Sequence, residues 1–136
     1  MNNGLVRAMT PKILACIAAG GAVGAVGRYV VSSHVSGLFG THFPFGTLAV
    51  NIIGTLILGI LVAVAGETWS QTPALRAFLV VGVLGAFTTF SLFSHELFVF
   101  VERGDYGIAA FYATSSVLSC LLGFYIGHVV SRQFLG

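Results

Sequence analysis

Apolar residues in this chain come in long blocks separated by short polar breaks, with neither the two-residue period of a strand nor the one-sided stripe of a soluble helix. Four blocks stand out: Lys12 to Ser33, Gly46 to Ala65, Leu75 to Val101 and Tyr106 to Val130. Each reaches the roughly 20 residues that a helix needs to cross about 30 Å of hydrocarbon. The breaks are Gly37 to Pro44, Glu67 to Pro73 and Glu102 to Asp105, all short and rich in turn formers. The pattern predicts an all-α membrane protein: one four-helix transmembrane domain over residues 1–136, with no separate soluble domain. Arg7 and Lys12 precede Ile13-Leu14-Ala15, an apolar run shorter than the roughly 7–15 residues of a signal core, so the first block reads as a retained span.

Composition agrees. Hydrophobic residues make up 57% of the 136 and charged residues 7%, against about 25% charged in a soluble domain. Lipid is therefore the solvent over most of the surface. The net charge of +2 is dispersed, with no basic patch to suggest a nucleic acid partner. Cys16 and Cys120 lie in apolar runs and read as small hydrophobes. No nucleophile–base pair, carboxylate pair or Cys/His cluster suggests an enzyme or a metal centre. Four spans put the N-terminus, the second loop and the C-terminus on one side. That side holds Arg7, Lys12, Arg76 and Arg132; the other holds Arg103 and Arg28, which stands at the end of span one. So small a bias permits insertion in both orientations, and permits a single one equally.

The polar residues inside the spans carry the functional signal, because each needs a partner in lipid. Thr47, Asn51 and Thr55 share a face of span two. They line a polar path without fixed charge or tie helices together. Span three reads Gly85-Ala86-Phe87-Thr88-Thr89-Phe90-Ser91-Leu92-Phe93-Ser94-His95-Glu96. Either it breaks near its middle, freeing backbone groups for an ion, or it stays helical with its hydroxyls bonded to the preceding turn. Phe90 and Phe93 share a face; such a pair faces lipid or packs in the core, or presents ring edges to a pore, where they would attract a small anion. Tyr112 and Ser116 continue a hydroxyl-bearing face in span four, with Cys120 a turn further on. Glu96 is the only carboxyl that could lie within a span. Glycines at Gly20, Gly24, Gly54, Gly59, Gly123 and Gly127 mark close helix contacts. Four helices enclose little space, so a route for a solute calls for a second copy.

Three stretches together resemble the CrcB/Fluc family of fluoride channels. They are Gly20 to Tyr29 with its glycines and Arg28, Gly46 to Asn51 with Gly54 and Gly59, and Gly85 to Glu96 around Thr88-Thr89-Phe90-Ser91. The resemblance implies a dual-topology, antiparallel homodimer in the bacterial inner membrane with two passive fluoride pores, which export cytoplasmic fluoride and give fluoride resistance. It also implies a structural sodium ion at the dimer interface. By position it implies that Asn51, Phe90, Phe93, Tyr112, Ser116 and Thr47 line the pore. The backbone carbonyls of Gly85 and Thr88 would hold the sodium, and Arg28 and Glu96 match family positions. Ala86, Leu92 and Cys120 depart from residues common in the family. A small dual-topology multidrug or cation exporter would share the size and span count, but would carry a glutamate inside span one, which this chain lacks.

Overall fold

A computed structural model describes residues 10–65 and 72–135, all helical apart from short connections. Arg7 and the second-loop residues Glu67 to Gln71 lie outside the described residues. The helices are α1 (Pro11–Phe39), α2 (Phe45–Ala65), α3 (residues 73–87), α4 (Phe90–Glu102) and α5 (Tyr106–Leu135). Four segments are long and apolar enough to cross a membrane: α1, α2, α3 with α4 counted together, and α5.

Local chemistry sets the helix ends. Thr10 caps α1, its hydroxyl accepting the Ile13 N–H at 3.4 Å, and Pro11 occupies the first turn, where no N–H is needed. The chain leaves α1 through Gly40, whose φ of 83° suits a residue without Cβ. Gly104, at φ 78°, does the same between α4 and α5. α1 outruns its expected end at Ser33 and stays helical to Phe39. Gly37 to Phe39 are therefore helix and not loop. Arg28 accordingly does not stand at the end of its helix: Tyr29 to Phe39 follow it as helix. It is half-buried and has no ion-pair partner among the described residues.

Glycines bring the backbones together in two pairs. On α1, a Cβ at Gly20 would meet the Phe78 carbonyl of α3, and one at Gly24 the Val83 carbonyl. A Cβ at Gly82 would come within 2.9 Å of the Gly20 Cα. Between α2 and α5, Gly59 faces the Phe124 carbonyl and Gly127 the Leu56 carbonyl. Lipid tails are as apolar as leucine, so such close approach, and not the hydrophobic effect, holds membrane helices together. Much of α3 is wound as a π-helix, Ala77–Leu84, in which the Gly85 N–H reaches the Val80 carbonyl five residues back.

The packed core is aromatic and lies toward the end of the bundle that carries the α1–α2 and α4–α5 connections. Phe93, Phe100, Ala109 and Tyr112 are buried together, with Phe43 packed against them. The Phe43 ring meets that of Tyr112 edge-on at 5.3 Å. Few other large side chains are buried within one chain.

Replacing Gly24 with leucine drives a side chain into the Val83 carbonyl and should cost about 2 kcal/mol or more. This would be read as a lower melting midpoint of purified protein in detergent. Gly37 faces open space within the chain, so Gly37→Ala should stay within about 0.5 kcal/mol of the parent.

Candidate functional site: a cavity beside a helix break

Between α3 and α4 the backbone leaves helical geometry for two residues. Thr88 has φ −81° and ψ 159°. Thr89 has φ −150° and ψ 118°. Helical bonding resumes at Phe90. Residues in this state lose their helical partners, and each unsatisfied backbone group in a bilayer costs several kcal/mol.

Asn51 of α2 supplies the missing partners. Its Oδ1 accepts the Thr89 N–H at 2.8 Å, and its Nδ2 donates to the Thr89 carbonyl at 3.0 Å. The side-chain amide thus acts as a short stretch of neighbouring strand. Only an amide offers one donor and one acceptor in that geometry, and the Thr89 N–H fixes which end of Asn51 is oxygen. The Thr89 hydroxyl accepts the Leu92 N–H at 3.2 Å and caps α4. The Thr88 hydroxyl donates to the Leu84 carbonyl at 3.0 Å. Sequence reading named Thr89 within the third stretch but gave it no role. Its signal was available: a threonine followed by Phe-Ser-Leu at the start of a helix is an N-cap pattern.

Beside this junction lies a cavity of about 360 Å³, lined by Asn51, Thr55, Thr89, Phe90, Phe93 and Ser116 among others. No ionisable group except the Cys120 thiol is on its wall. Ser116 is only 6% exposed, and its hydroxyl oxygen is buried without a hydrogen-bond partner. A buried hydroxyl without a partner calls for an explanation, and this one belongs to a residue of the cavity lining. The other orphan among the described residues, His128 Nδ1, lies near the far end of α5, away from this wall. Thr55 spends its hydroxyl on its own helix, donating to the Asn51 carbonyl at 2.9 Å. The rings of Phe90 and Phe93 touch, with centroids 5.4 Å apart. Their settings differ sharply, since Phe93 is 8% exposed and Phe90 is 78% exposed.

A second polar group lies one to two turns along α4. The Thr47 hydroxyl donates to Glu96 Oε1 at 2.7 Å, and the Tyr112 hydroxyl donates to Oε2 at 2.7 Å. Three helices therefore converge on one carboxyl group. Thr47 and Tyr112 are almost wholly buried. The Tyr112 ring also packs on Phe93 at 5.1 Å, which joins this group to the cavity. Sequence reading placed Glu96 late in span three but could not pair it, because Thr47 and Glu96 are 49 residues apart. Gly85 is exposed and Thr88 half-buried, and both line the cavity. Arg28 lies on α1, outside the cavity wall.

Fold and site together define a polytopic helical membrane protein with a largely apolar cavity, bordered by a few uncharged polar groups, beside a helix break. A profile of the family described as CrcB-like protein, Camphor Resistance (CrcB), matches residues 15–128. The chain belongs to that family. It is 42% identical over 121 residues to the fluoride-specific ion channel FluC of Rhodospirillum centenum, covering 89% of this chain and 96% of the relative. It is 44% identical over 119 residues to the protein of that name from Magnetococcus marinus, covering 88% and 97%. A third, from Geobacter sulfurreducens, is 44% identical over 117 residues, covering 86% and 94%. The family is one of ion channels, not of enzymes.

Asn51→Leu leaves both backbone groups of Thr89 unpaired and should destabilise the protein by about 3 kcal/mol. Thermal melting in detergent tests this, with Asn51→Gln expected to recover part of the loss.

Proposed function

We propose that the protein is a passive, fluoride-selective channel that exports cytoplasmic fluoride and so gives fluoride resistance. The observation that carries this reading is the buried, unpartnered Ser116 hydroxyl on the wall of the cavity beside Asn51 and Phe93. Fluoride is small and holds its water tightly. A pore for it must replace that water with hydrogen-bond donors and positive ring edges. Here Ser116 offers a donor, Phe90 and Phe93 offer ring edges, and the start of α4 brings the positive end of a helix dipole to the cavity. Thr47 and Tyr112 give their hydroxyl protons to Glu96, and this group carries the line of polar residues on from the cavity. On this reading chloride is rejected because the donors are placed for a smaller ion. Hydrogen fluoride enters a cell as a neutral acid and dissociates at cytoplasmic pH. A passive route then suffices, because fluoride leaves down its electrochemical gradient. The names borne by the relatives support the same reading.

On this reading α3 and α4 form a single interrupted crossing, and two copies assemble as an antiparallel homodimer in the inner membrane of a bacterium. Phe90, at 78% exposed, and the half-buried Arg28 without an ion-pair partner fit surfaces that a second copy covers. The weak charge bias of the chain ends fits insertion in both orientations. The last carbonyls of α3 fit the structural sodium expected at the dimer interface. In a continuous helix the Gly85 carbonyl would accept the Thr89 N–H, but that N–H is given to Asn51. Gly85 and Thr88 would hold the ion through their backbone oxygens, and bound sodium would supply positive charge that ties the two copies together.

Liposomes holding purified protein should release fluoride rapidly to an electrode, with chloride release at least about 100-fold slower in the parallel run. Phe93→Ile and Asn51→Asp should each cut fluoride release at least about tenfold. Absence of fluoride release from folded, dimeric protein would overturn the channel reading. Replacing sodium with a large organic cation during purification should lower the melting midpoint, and an unchanged midpoint would remove the structural ion.

A further inference from the structure

On α2, Gly54 stands one turn after Asn51, and both residues line the cavity. Asn51 holds the backbone of Thr89 through its two hydrogen bonds. Gly54 meets the residue before it. A Cβ at position 54 would collide with Thr88 Cγ2, so the threonine methyl fills the space that any other side chain would take. α2 therefore engages two consecutive residues of the α3–α4 junction, one by hydrogen bonds and one by shape.

Thr88 cannot give way cheaply. Its side chain is β-branched and stiff about χ1. Its hydroxyl donates to the Leu84 carbonyl at 3.0 Å, so turning the methyl out of the notch also breaks that bond. Nor can the junction simply back away from α2. The Phe87 ring stands between α2 and α1, with Cδ1 toward Gly54 and Cδ2 toward Gly27, where a Cβ would lie at 3.5 Å. Retreat from α2 drives that ring onto α1. The Asn51 bonds, at 2.8 and 3.0 Å, have little slack.

We propose that Gly54 is a positioning residue of the pore: by taking in the Thr88 methyl, it lets the α3–α4 junction come close enough to α2 for Asn51 to hold Thr89. The inference rests on the channel reading for its effect on flux. With the methyl gone, the next atoms facing a Cβ at position 54 are Phe87 Cδ1 at 3.4 Å and Thr88 Cβ at 3.7 Å, both ordinary packing distances. Serine keeps the hydroxyl that binds Leu84 and lacks the methyl. Thr88→Ser therefore makes room for Gly54→Ala. Residues in direct contact couple in this way, whereas the effects of distant substitutions add.

The test compares the parent, Gly54→Ala, Thr88→Ser and the double variant. Gly54→Ala should lower the melting midpoint in detergent by about 5 °C or more, and the double variant should return to within about 2 °C of Thr88→Ser. Fluoride release from liposomes, per folded protein and well below every midpoint, should fall at least about tenfold in Gly54→Ala. In the double variant it should recover to within about twofold of Thr88→Ser. Gly59→Ala, whose Cβ would meet the Phe124 carbonyl of α5, should gain nothing from Thr88→Ser. If Gly54→Ala does not fold, a double variant that folds and conducts supports the proposal equally. A double variant no better than Gly54→Ala would overturn the seating of Thr88 in Gly54. A lowered midpoint with unchanged fluoride release per folded protein would reduce the contact to packing and overturn the positioning role. Folded, dimeric parent protein without fluoride release would overturn the channel reading and the pore role with it, while the midpoints would still decide whether Gly54 seats Thr88.

Discussion

The paired hydrogen bonds between the Asn51 amide and the backbone of Thr89 are the contact on which the site depends. Two extended residues at membrane depth would be prohibitively costly if left bare. Asn51 removes that cost from a neighbouring helix, and in doing so locks α2 to the α3–α4 junction. Everything around the cavity takes its place from this. α3 ends with its carbonyls turned to one side of the junction, and α4 starts with its amides on the other. A helix that ran straight through would present neither end. One asparagine therefore creates two electrostatic features of opposite sign within a few residues of each other.

The rest of the molecule keeps those features in register. Glycine contacts hold α1 against α3 and α2 against α5, so the junction is pressed between two rigid pairs. The aromatic cluster of Phe43, Phe93, Phe100 and Tyr112 then fixes the end of α4 and aims the Tyr112 hydroxyl at Glu96. Tyr112 serves both purposes with one side chain, as its ring fills the core while its hydroxyl completes the carboxyl clamp. Thr47, a turn before Asn51 on α2, closes the clamp from the other side. The polar path and the packed core are thus built from the same residues. Substitutions along the proposed path would therefore register in stability as well.

A single chain leaves much of its polar and aromatic investment at its surface. Phe90 touches Phe93 but turns most of its ring outward. Gly85 is exposed at the rim of the cavity. These are the places where the proposed second copy would close the cavity.

Four membrane-crossing segments were legible from the sequence because hydrocarbon thickness sets a minimum apolar length, and length is a local property. The start and finish of span two were read to within a residue, Gly46 to Ala65 against Phe45–Ala65. The end of span one was misjudged at Ser33, because the polar run Ser32-Ser33-His34 resembles an interface while the backbone simply continues as helix to Phe39. Asn51, Thr47, Tyr112 and Ser116 were recognisable as costly polar groups in lipid, and so as residues with a task. What each one bonds was not recognisable. Thr47 and Glu96 meet across 49 positions, and Asn51 reaches Thr89 across 38. Such partners are chosen by how helices pack, and no local pattern encodes that choice. The sequence by itself determined which residues had to find partners; only the tertiary structure decided which partners they found, because that choice depends on distances between helices far apart in the chain.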